Sequence, residues 1–169
     1  FKGRDFKKST YLNLVKYETE DQIAAARKLS ELEYIDENRT GIWGWSFGGH
    51  MSTNALLKGN DVFEMAIAVA PVTSWRFYDT IYTERFLRTP EENPEGYDNE
   101  SPFNYPELLK GKYLLVHGSG DDNVHVQNSM RMIEALIQAN KPFEWAIYPD
   151  RNHGIYGGKT RLHLYTKMT

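Results

Sequence analysis

Cysteine is absent from this 169-residue chain. Without cysteine the protein can form no disulfide bond, no zinc–thiolate site and no thiol nucleophile. The absence does not identify the redox compartment in which the protein works. It does exclude the cysteine peptidases and every fold that depends on a disulfide framework.

Long apolar runs and long basic runs are absent too. No stretch approaches the roughly 18 consecutive apolar residues of a membrane-spanning helix, so the sequence predicts no membrane span in this chain. The 20 Lys and Arg residues are interspersed with 23 Asp and Glu residues, which gives a formal charge of −3. No basic run is present that could follow a phosphate backbone, and this argues against a nucleic-acid partner.

The start of the chain has neither an initiator methionine nor the apolar core of a signal peptide. Residues 1–8 are mainly polar and basic, which predicts no signal peptide in this piece. Together these features indicate a fragment or a processed product. At 169 residues the chain is long enough for one domain, which could bury roughly 70% of its extended surface.

Apolar runs alternate with helical patterns along the chain. Strands are predicted over residues 41–45, 65–70, 113–118 and 143–148, the second and fourth being followed by Pro71 and Pro149. Helices are predicted over residues 20–34, with a capping box at Thr19 and Gln22, from about residue 46, and over residues 130–139. Residues 91–102 are predicted to be a surface loop. The alternation favours a mostly parallel sheet with helices on both faces.

A glycine-rich turn joins the first predicted strand to the next helix. Its sequence is Gly44-Trp45-Ser46-Phe47-Gly48-Gly49. This matches the nucleophile elbow, a sharp strand-to-helix turn that lifts a serine hydroxyl clear of a sheet. Its glycines leave room for the turn, and the backbone N–H of Phe47 would face a developing oxyanion. An ordinary glycine turn is the alternative, but the flanking strand and helix favour the elbow.

A serine nucleophile needs a base to take its proton. His153 lies in a loop just beyond the fourth predicted strand, where catalytic side chains are usually mounted, so it is the candidate base. The other histidines are predicted to be packed or solvated: His50 and His163 on helices, His117 in a strand and His125 at the start of a helix.

The base in turn needs an acid that fixes its tautomer. The loop after the third predicted strand offers two adjacent carboxylates, Asp121 and Asp122. Adjacent side chains diverge, so only one of them can face His153. The other is expected to be a turn or helix-cap residue.

These segments resemble one family of serine peptidases, the prolyl oligopeptidase family, and most closely its dipeptidyl peptidase IV branch. The similar strings cover nearly the whole chain and run over residues 20–23, 43–46, 68–72, 82–85, 121–125, 153–154 and 165–166. The resemblance implies the C-terminal portion of an α/β-hydrolase fold. It also assigns the acid to Asp121. The family usually has tyrosine where this chain has Phe47, but only the backbone N–H is needed there.

The resemblance also implies a substrate pocket. A small apolar pocket for proline or alanine would be lined by Val72, Trp75, Tyr78 and Tyr82, with Val124 nearby. Asn123 would hold a substrate carbonyl. From spacing alone, Trp75, Tyr78 and Tyr82 are better explained as one face of an ordinary amphipathic helix.

The function that the resemblance implies is that of a serine exopeptidase. It would release dipeptides ending in proline or alanine through an acyl-enzyme on Ser46, with no metal or organic cofactor. An oligopeptide substrate, a homodimeric full-length protein and a periplasmic or cell-surface location are implied as well. Two alternatives stay open: an esterase or acylaminoacyl peptidase on the same triad, and a catalytically silent binding or dimerisation module.

Relatives in the family carry a β-propeller and the first strands of the hydrolase sheet ahead of the region that this chain resembles. A tyrosine hydroxyl that completes the oxyanion hole, and a glutamate pair that clamps the substrate amine, lie in those missing parts. The resemblance therefore implies that residues 1–169 form a partial peptidase domain. Its open sheet edge would favour aggregation or self-association.

Overall fold

The computed structural model describes residues 2–169 and is built around one sheet of four parallel strands. The strands lie in the order β1 (Gly41–Trp45), β2 (Met65–Val69), β3 (Lys112–Gly118) and β4 (Glu144–Tyr148). All four predicted strands are confirmed to within one residue at each end. Phe1, the first residue of the segment 1–8 for which no signal peptide is predicted, lies outside the described residues.

Seven α-helices occur between residues 2 and 169. They are α1 (Gly3–Lys7), α2 (Lys16–Ser30), α3 (Phe47–Lys58), α4 (Thr80–Leu87), α5 (Pro94–Asp98), α6 (Gln127–Gln138) and α7 (Thr160–Met168). Short 3-10 helices cover Glu37–Arg39, Trp75–Phe77, Pro102–Asn104 and Pro106–Leu108. The helix predicted after Ser46 is α3, and the one predicted over residues 130–139 is α6, which begins earlier, at Gln127. No helix in this part of the chain is long and apolar enough to cross a membrane.

Successive strand residues point to opposite faces of the sheet, and each face carries its own core. One core lies between the sheet and helices α2, α3 and α6, and includes Leu56, Ala66, Ala68, Leu115 and Leu136. The core on the other face includes Ile67, Val69, Val116, Ile155 and, from α7, Leu164. The predicted parallel sheet with helices on both faces is therefore confirmed.

The first predicted helix is displaced along the chain. It runs over Lys16–Ser30 rather than 20–34, and Thr19 lies inside it instead of capping it. The buried residue Val15 holds a left-handed backbone with φ of 81° and accepts a hydrogen bond from the Thr19 N–H. The Thr19 hydroxyl contacts the sulfur of Met51 at 3.9 Å. The local capping signal is overridden by packing against α3.

Residues 91–102 are only partly a surface loop, so that prediction is wrong for the middle of the segment. The helix α5 forms there because the Asn93 side chain accepts a hydrogen bond from the Gly96 N–H. Tyr97 and Ser101 are buried. Asp98 binds Arg76 through two short contacts of 2.6 and 2.8 Å. Part of this segment is therefore buried against the rest of the domain, and composition alone does not reveal such packing.

The strand β1 pairs with β2 alone among the described residues, so it forms one edge of the sheet. Trp43 on this strand is 58% exposed. An open groove of about 710 Å³ lies between β1 and α2, and its lining includes Leu29, Ile35 and Ile42. Apolar surface therefore remains uncovered along this edge in the described part of the chain.

Candidate active site

Ser46 is the one residue between the end of β1 and the start of α3. Its backbone has φ of 61° and ψ of −118°, which residues other than glycine rarely adopt. The Ser46 N–H donates to the Val69 carbonyl at 2.8 Å, and the Ser46 carbonyl accepts the His50 N–H at 3.1 Å. Both the neighbouring strand and the following helix thus hold the turn in the strained geometry of an elbow.

The glycines around Ser46 do not all serve the same purpose. A Cβ on Gly44 would lie 2.0 Å from the carbonyl oxygen of Gly48, and one on Gly49 would lie 2.9 Å from Pro71. A Cβ on Gly48 would meet nothing within 4 Å. The expectation that the glycines leave room for the turn is confirmed for Gly44 and Gly49, whereas a side chain on Gly48 would crowd nothing. There the close approach involves the backbone, and the position of the missing side chain faces open space.

The pair Gly44→Ala and Gly48→Ala tests this account of the elbow. We expect Gly44→Ala to destabilise the full-length protein by about 3 kcal/mol and to remove most of its activity, because the helix must move away from the strand. Gly48→Ala should change stability by about 1 kcal/mol or less, in the stabilising direction. Thermal unfolding and the rate of fluorophosphonate labelling measure both effects. Equal losses in the two variants would contradict the assignment.

Asp121 and His153 lie in direct contact, although 32 residues separate them. The Nδ1 atom of His153 is 2.7 Å from Oδ2 of Asp121. The other carboxylate oxygen accepts the N–H groups of Asn123 and Val124 at 3.0 and 2.9 Å. Asp122, by contrast, is exposed. Of the two candidate acids, the structure brings Asp121 to His153.

The pKa of Asp121 is set by opposing effects. Burial alone raises it, but hydrogen bonds from His117, His153 and the Asn123 N–H outweigh burial and hold the pKa of Asp121 well below its usual range. The carboxylate is therefore ionised at neutral pH. An ionised acceptor keeps a proton on Nδ1 of His153, which leaves Nε2 free to accept one.

Ser46 is linked to the Asp121–His153 pair only indirectly, through a hydrogen bond from the preceding residue, Trp45. The Trp45 indole N–H donates to the carbonyl of His153 at 2.9 Å. Within residues 2–169 no hydrogen bond joins the Ser46 hydroxyl to His153. Hydrogen bonds of this kind are often loose until substrate is bound. The structure thus joins two of the three predicted triad residues directly and ties His153 to the residue that precedes the third.

His117 is a site residue that the sequence analysis missed. It was predicted to be a packed residue, and it is fully buried on β3. Its Nε2 lies 2.8 Å from the Val124 carbonyl and 3.2 Å from Oδ2 of Asp121, while Nδ1 lies 2.6 Å from the Ser129 hydroxyl. These partners indicate that Nε2 donates and that Nδ1 accepts. The sequence did contain a signal for the contact between His117 and Asp121, because the two residues are only four positions apart and a glycine-containing turn lies between them.

The remaining histidines have other partners. His50 is buried on α3, where burial lowers its pKa to about 4 and its Nε2 lies 2.7 Å from the Glu100 carbonyl. His163 on α7 lies 2.8 Å from the Tyr148 hydroxyl. His125 is exposed and precedes α6 instead of beginning it. Among the described residues, none of these three forms a hydrogen bond or an ion pair with Asp121 or His153.

The aromatic residues predicted to line a pocket do cluster, but not as one face of a helix. Trp75 lies in a 3-10 helix, Tyr78 is extended, and Tyr82 lies in α4. Ring centroids are 5.9 Å apart for Trp75 and Tyr78, and 5.7 Å apart for Trp75 and Tyr82. Val72 and Val124 are buried in the same cluster. The amphipathic-helix interpretation is wrong, because the three residues do not lie in one continuous helix: the backbone is extended at Tyr78, between the 3-10 helix and α4.

Asn123 lies beside this cluster. The Tyr78 hydroxyl donates to Oδ1 of Asn123 at 2.8 Å. Both residues border an open cleft of about 750 Å³, which Arg76, Asp79, Asp122 and His125 also line. Because the amide oxygen is occupied, the NH2 group of Asn123 remains as a donor for a ligand.

The whole chain, residues 1–169, matches the prolyl oligopeptidase family. It is 46% identical to prolyl endopeptidase FAP of Mus musculus over 100% of this chain and 23% of that protein. It is 44% identical to dipeptidyl peptidase 4 of Felis catus over 90% of this chain and 20% of that protein. The chain therefore spans less than a quarter of the length of these relatives.

Solved structures show the same relationship. The crystal structure of Porphyromonas gingivalis dipeptidyl peptidase 4 superposes with a TM-score of 0.95 at 54% identity, over 98% of this chain and 24% of that one. A putative dipeptidyl aminopeptidase IV from Bacteroides ovatus gives a TM-score of 0.93 at 36% identity, over 98% and 23%. These matches confirm the predicted α/β-hydrolase fold.

Proposed function

Since the chain belongs to the prolyl oligopeptidase family, we propose that it supplies the nucleophile, base and acid of a serine exopeptidase that releases amino-terminal dipeptides from oligopeptides. The observation that carries the proposal is the hydrogen bond of 2.7 Å between Asp121 and His153. His153 is also bonded to Trp45, the residue before a serine held at φ of 61° between a strand and a helix. Names of relatives that include dipeptidyl peptidase support the reaction class.

In this proposal the Ser46 hydroxyl attacks the carbonyl carbon of the scissile amide, and Nε2 of His153 takes the hydroxyl proton. Asp121 stabilises the imidazolium that forms, and His153 then protonates the leaving amine. The product is an acyl-enzyme on Ser46, which a water molecule attacks with His153 again acting as base. Hydrolysis restores the free serine and releases the dipeptide.

The backbone N–H of Phe47 is the proposed oxyanion donor. Phe47 is the first residue of α3, and the first N–H groups of a helix have no acceptor within it. An N–H at that position, with the positive end of the helix behind it, stabilises the negative charge that develops on the carbonyl oxygen. The family pattern places a second donor and an amine clamp outside this chain. We therefore propose residues 1–169 as the C-terminal part of the catalytic domain.

Recognition of proline or alanine is assigned to the aromatic cluster. Trp75 is almost fully buried, whereas Tyr78 and Tyr82 are half-buried and leave part of their rings for a ligand. A proline ring is rigid, so apolar walls can bury it with little loss of conformational entropy. The free NH2 group of Asn123 would then donate to a carbonyl of the substrate backbone. Val72 and Val124, which are buried in the same cluster, are assigned to the walls of this pocket as well.

A second function is favoured by one specific observation. The chain is 46% identical to a protein named prolyl endopeptidase, so the same residues could cleave after an internal proline. The two functions differ in whether a free amino terminus is needed.

Family resemblance also leads us to infer an extracytoplasmic location and a homodimeric full-length protein.

The two functions are separated by assaying the full-length enzyme with glycyl-prolyl p-nitroanilide and its N-acetylated form. We expect kcat/KM to be about 100-fold higher with the free amine, which corresponds to one buried charge pair of about 3 kcal/mol. Equal rates would favour the endopeptidase. Hydrolysis of p-nitrophenyl acetate with neither amide cleaved would favour an esterase.

A further inference from the structure

Two side chains hold consecutive carbonyl groups of the loop that carries His153. The Trp45 indole N–H donates to the carbonyl of His153 at 2.9 Å. The Arg161 guanidinium donates to the carbonyl of Gly154 through Nη2 at 3.0 Å and Nε at 3.3 Å. The backbone of the candidate base is therefore held from two different elements.

The two side chains also contact each other. The Arg161 guanidinium lies 5.8 Å from the centroid of the Trp45 ring, within the range of a cation–π interaction. Trp45 is the last residue of β1 and directly precedes Ser46. Arg161 lies in the first turn of α7. The strand that leads to the candidate nucleophile and the last helix thus meet at the histidine loop.

This loop needs outside support because its own backbone is strained. Ile155 has φ of 43°, in the left-handed region that β-branched residues rarely adopt, and Asp150, a residue type that enters this region more readily, has φ of 55°. Such conformations persist only where surrounding contacts hold them. Ile155 is buried in the core, but between these two positions the His153 side chain remains 23% exposed.

We propose that Trp45 and Arg161 are positioning residues that together align the His153 imidazole for proton transfer. The inference rests on the proposed function, because it takes His153 to be the base. Neither side chain needs to touch the substrate for this role. A misplacement of about 1 Å can cost roughly 100-fold in rate, so losing one of two supports is expected to cost about tenfold.

The test compares Arg161→Met with Arg131→Met in the full-length enzyme. Arg131 lies on α6 and also stacks over an aromatic ring, with its guanidinium 5.9 Å from the Phe103 centroid. It therefore controls for the loss of a stacked arginine. We expect Arg161→Met to lower kcat about tenfold with KM changed by less than about twofold, because alignment rather than binding is lost. Arg131→Met should stay within about twofold of the parent in both constants.

Two further variants separate the hydrogen bonds from general packing. Trp45→Phe removes the indole N–H but keeps an aromatic ring, and should lower kcat by about fivefold to tenfold. Arg161→Lys can still donate to one carbonyl, and should recover part of the loss. If Arg161→Met fails to fold, Trp45→Phe and Arg161→Lys decide the question.

All rates are normalised to the number of sites that a fluorophosphonate titrates, so misfolded protein does not count as slow enzyme. Size-exclusion chromatography checks that each variant keeps the parent's assembly. The inference is overturned if normalised kcat of Arg161→Met and Trp45→Phe equals that of Arg131→Met, or if only KM changes.

Each variant is assayed with p-nitrophenyl acetate as well as the dipeptide amide. A parent that cleaves the ester but not the amide would refute the proposed function while still testing the two positioning residues.

Discussion

Replacing Ser46 with alanine in the full-length protein is expected to remove stoichiometric labelling by a fluorophosphonate and to lower kcat for the dipeptide amide by roughly 10⁶-fold. The reason is geometric. Among the serines of residues 2–169, Ser46 alone combines an elbow backbone, a helix N-terminus behind it and a histidine loop bonded to its neighbour Trp45. Mass spectrometry of the labelled protein identifies the modified residue.

Ser119→Ala is the matched control for that substitution. Ser119 is an exposed serine two residues from Asp121, and its hydroxyl accepts the Asp150 N–H at 2.9 Å. The final stoichiometry of labelling in the Ser119→Ala variant should match that of the parent protein, even if loss of the contact with the Asp150 N–H slows the labelling. Persistent labelling of the Ser46→Ala variant at the original stoichiometry would show that another serine is the nucleophile.

Asp121→Asn is expected to lower kcat by about 10⁴-fold while the fold is retained. The amide oxygen of asparagine can still accept the N–H groups of Asn123 and Val124, which now bind Oδ1. Its NH2 group would then face Nδ1 of His153. That nitrogen must become an acceptor, so the ring proton moves to Nε2, which can no longer take the proton of Ser46.

Asp122→Asn provides the comparison, since it removes an adjacent carboxylate that is exposed. We expect kcat to change by less than about threefold, as for other surface substitutions. Steady-state kinetics measure both variants, and thermal unfolding verifies that each is folded. If the two substitutions were equally harmful, Asp121 would lose its assignment as the acid.

The strands could be predicted from sequence because each is a short apolar run followed by a residue that ends it. Pro71 and Pro149 are examples. The start of α2 could not, because it depends on Val15, whose left-handed backbone is held by burial rather than by a local signal. Helical spacing also failed for Trp75 and Tyr78, where side-chain capping by Ser74 and the extended backbone at Tyr78 divide the segment.

The residues of the candidate site also differ in whether the sequence alone reveals them. Ser46 stands out through a local motif, and His153 through its place after a strand. The resemblance, rather than spacing, separated Asp121 from its neighbour. Trp45 and Arg161 could not be found in this way, because their importance lies in contacts between distant segments. The bond from Trp45 to His153, for instance, spans 108 residues.

The aromatic cluster limits how freely the proposed enzyme could be re-engineered for other substrates. The ring of Phe47 packs against Trp75 with centroids 6.0 Å apart, and Tyr82 in turn packs against Phe86 at 5.0 Å. The residue whose backbone would stabilise the oxyanion therefore shares its packing with the wall that would select the substrate. Trimming Trp75 to admit a larger side chain would loosen the first turn of α3 as well. Broader selectivity gained there would come with slower turnover, whereas changes at the half-buried rim residue Tyr78 leave the Phe47–Trp75 contact in place.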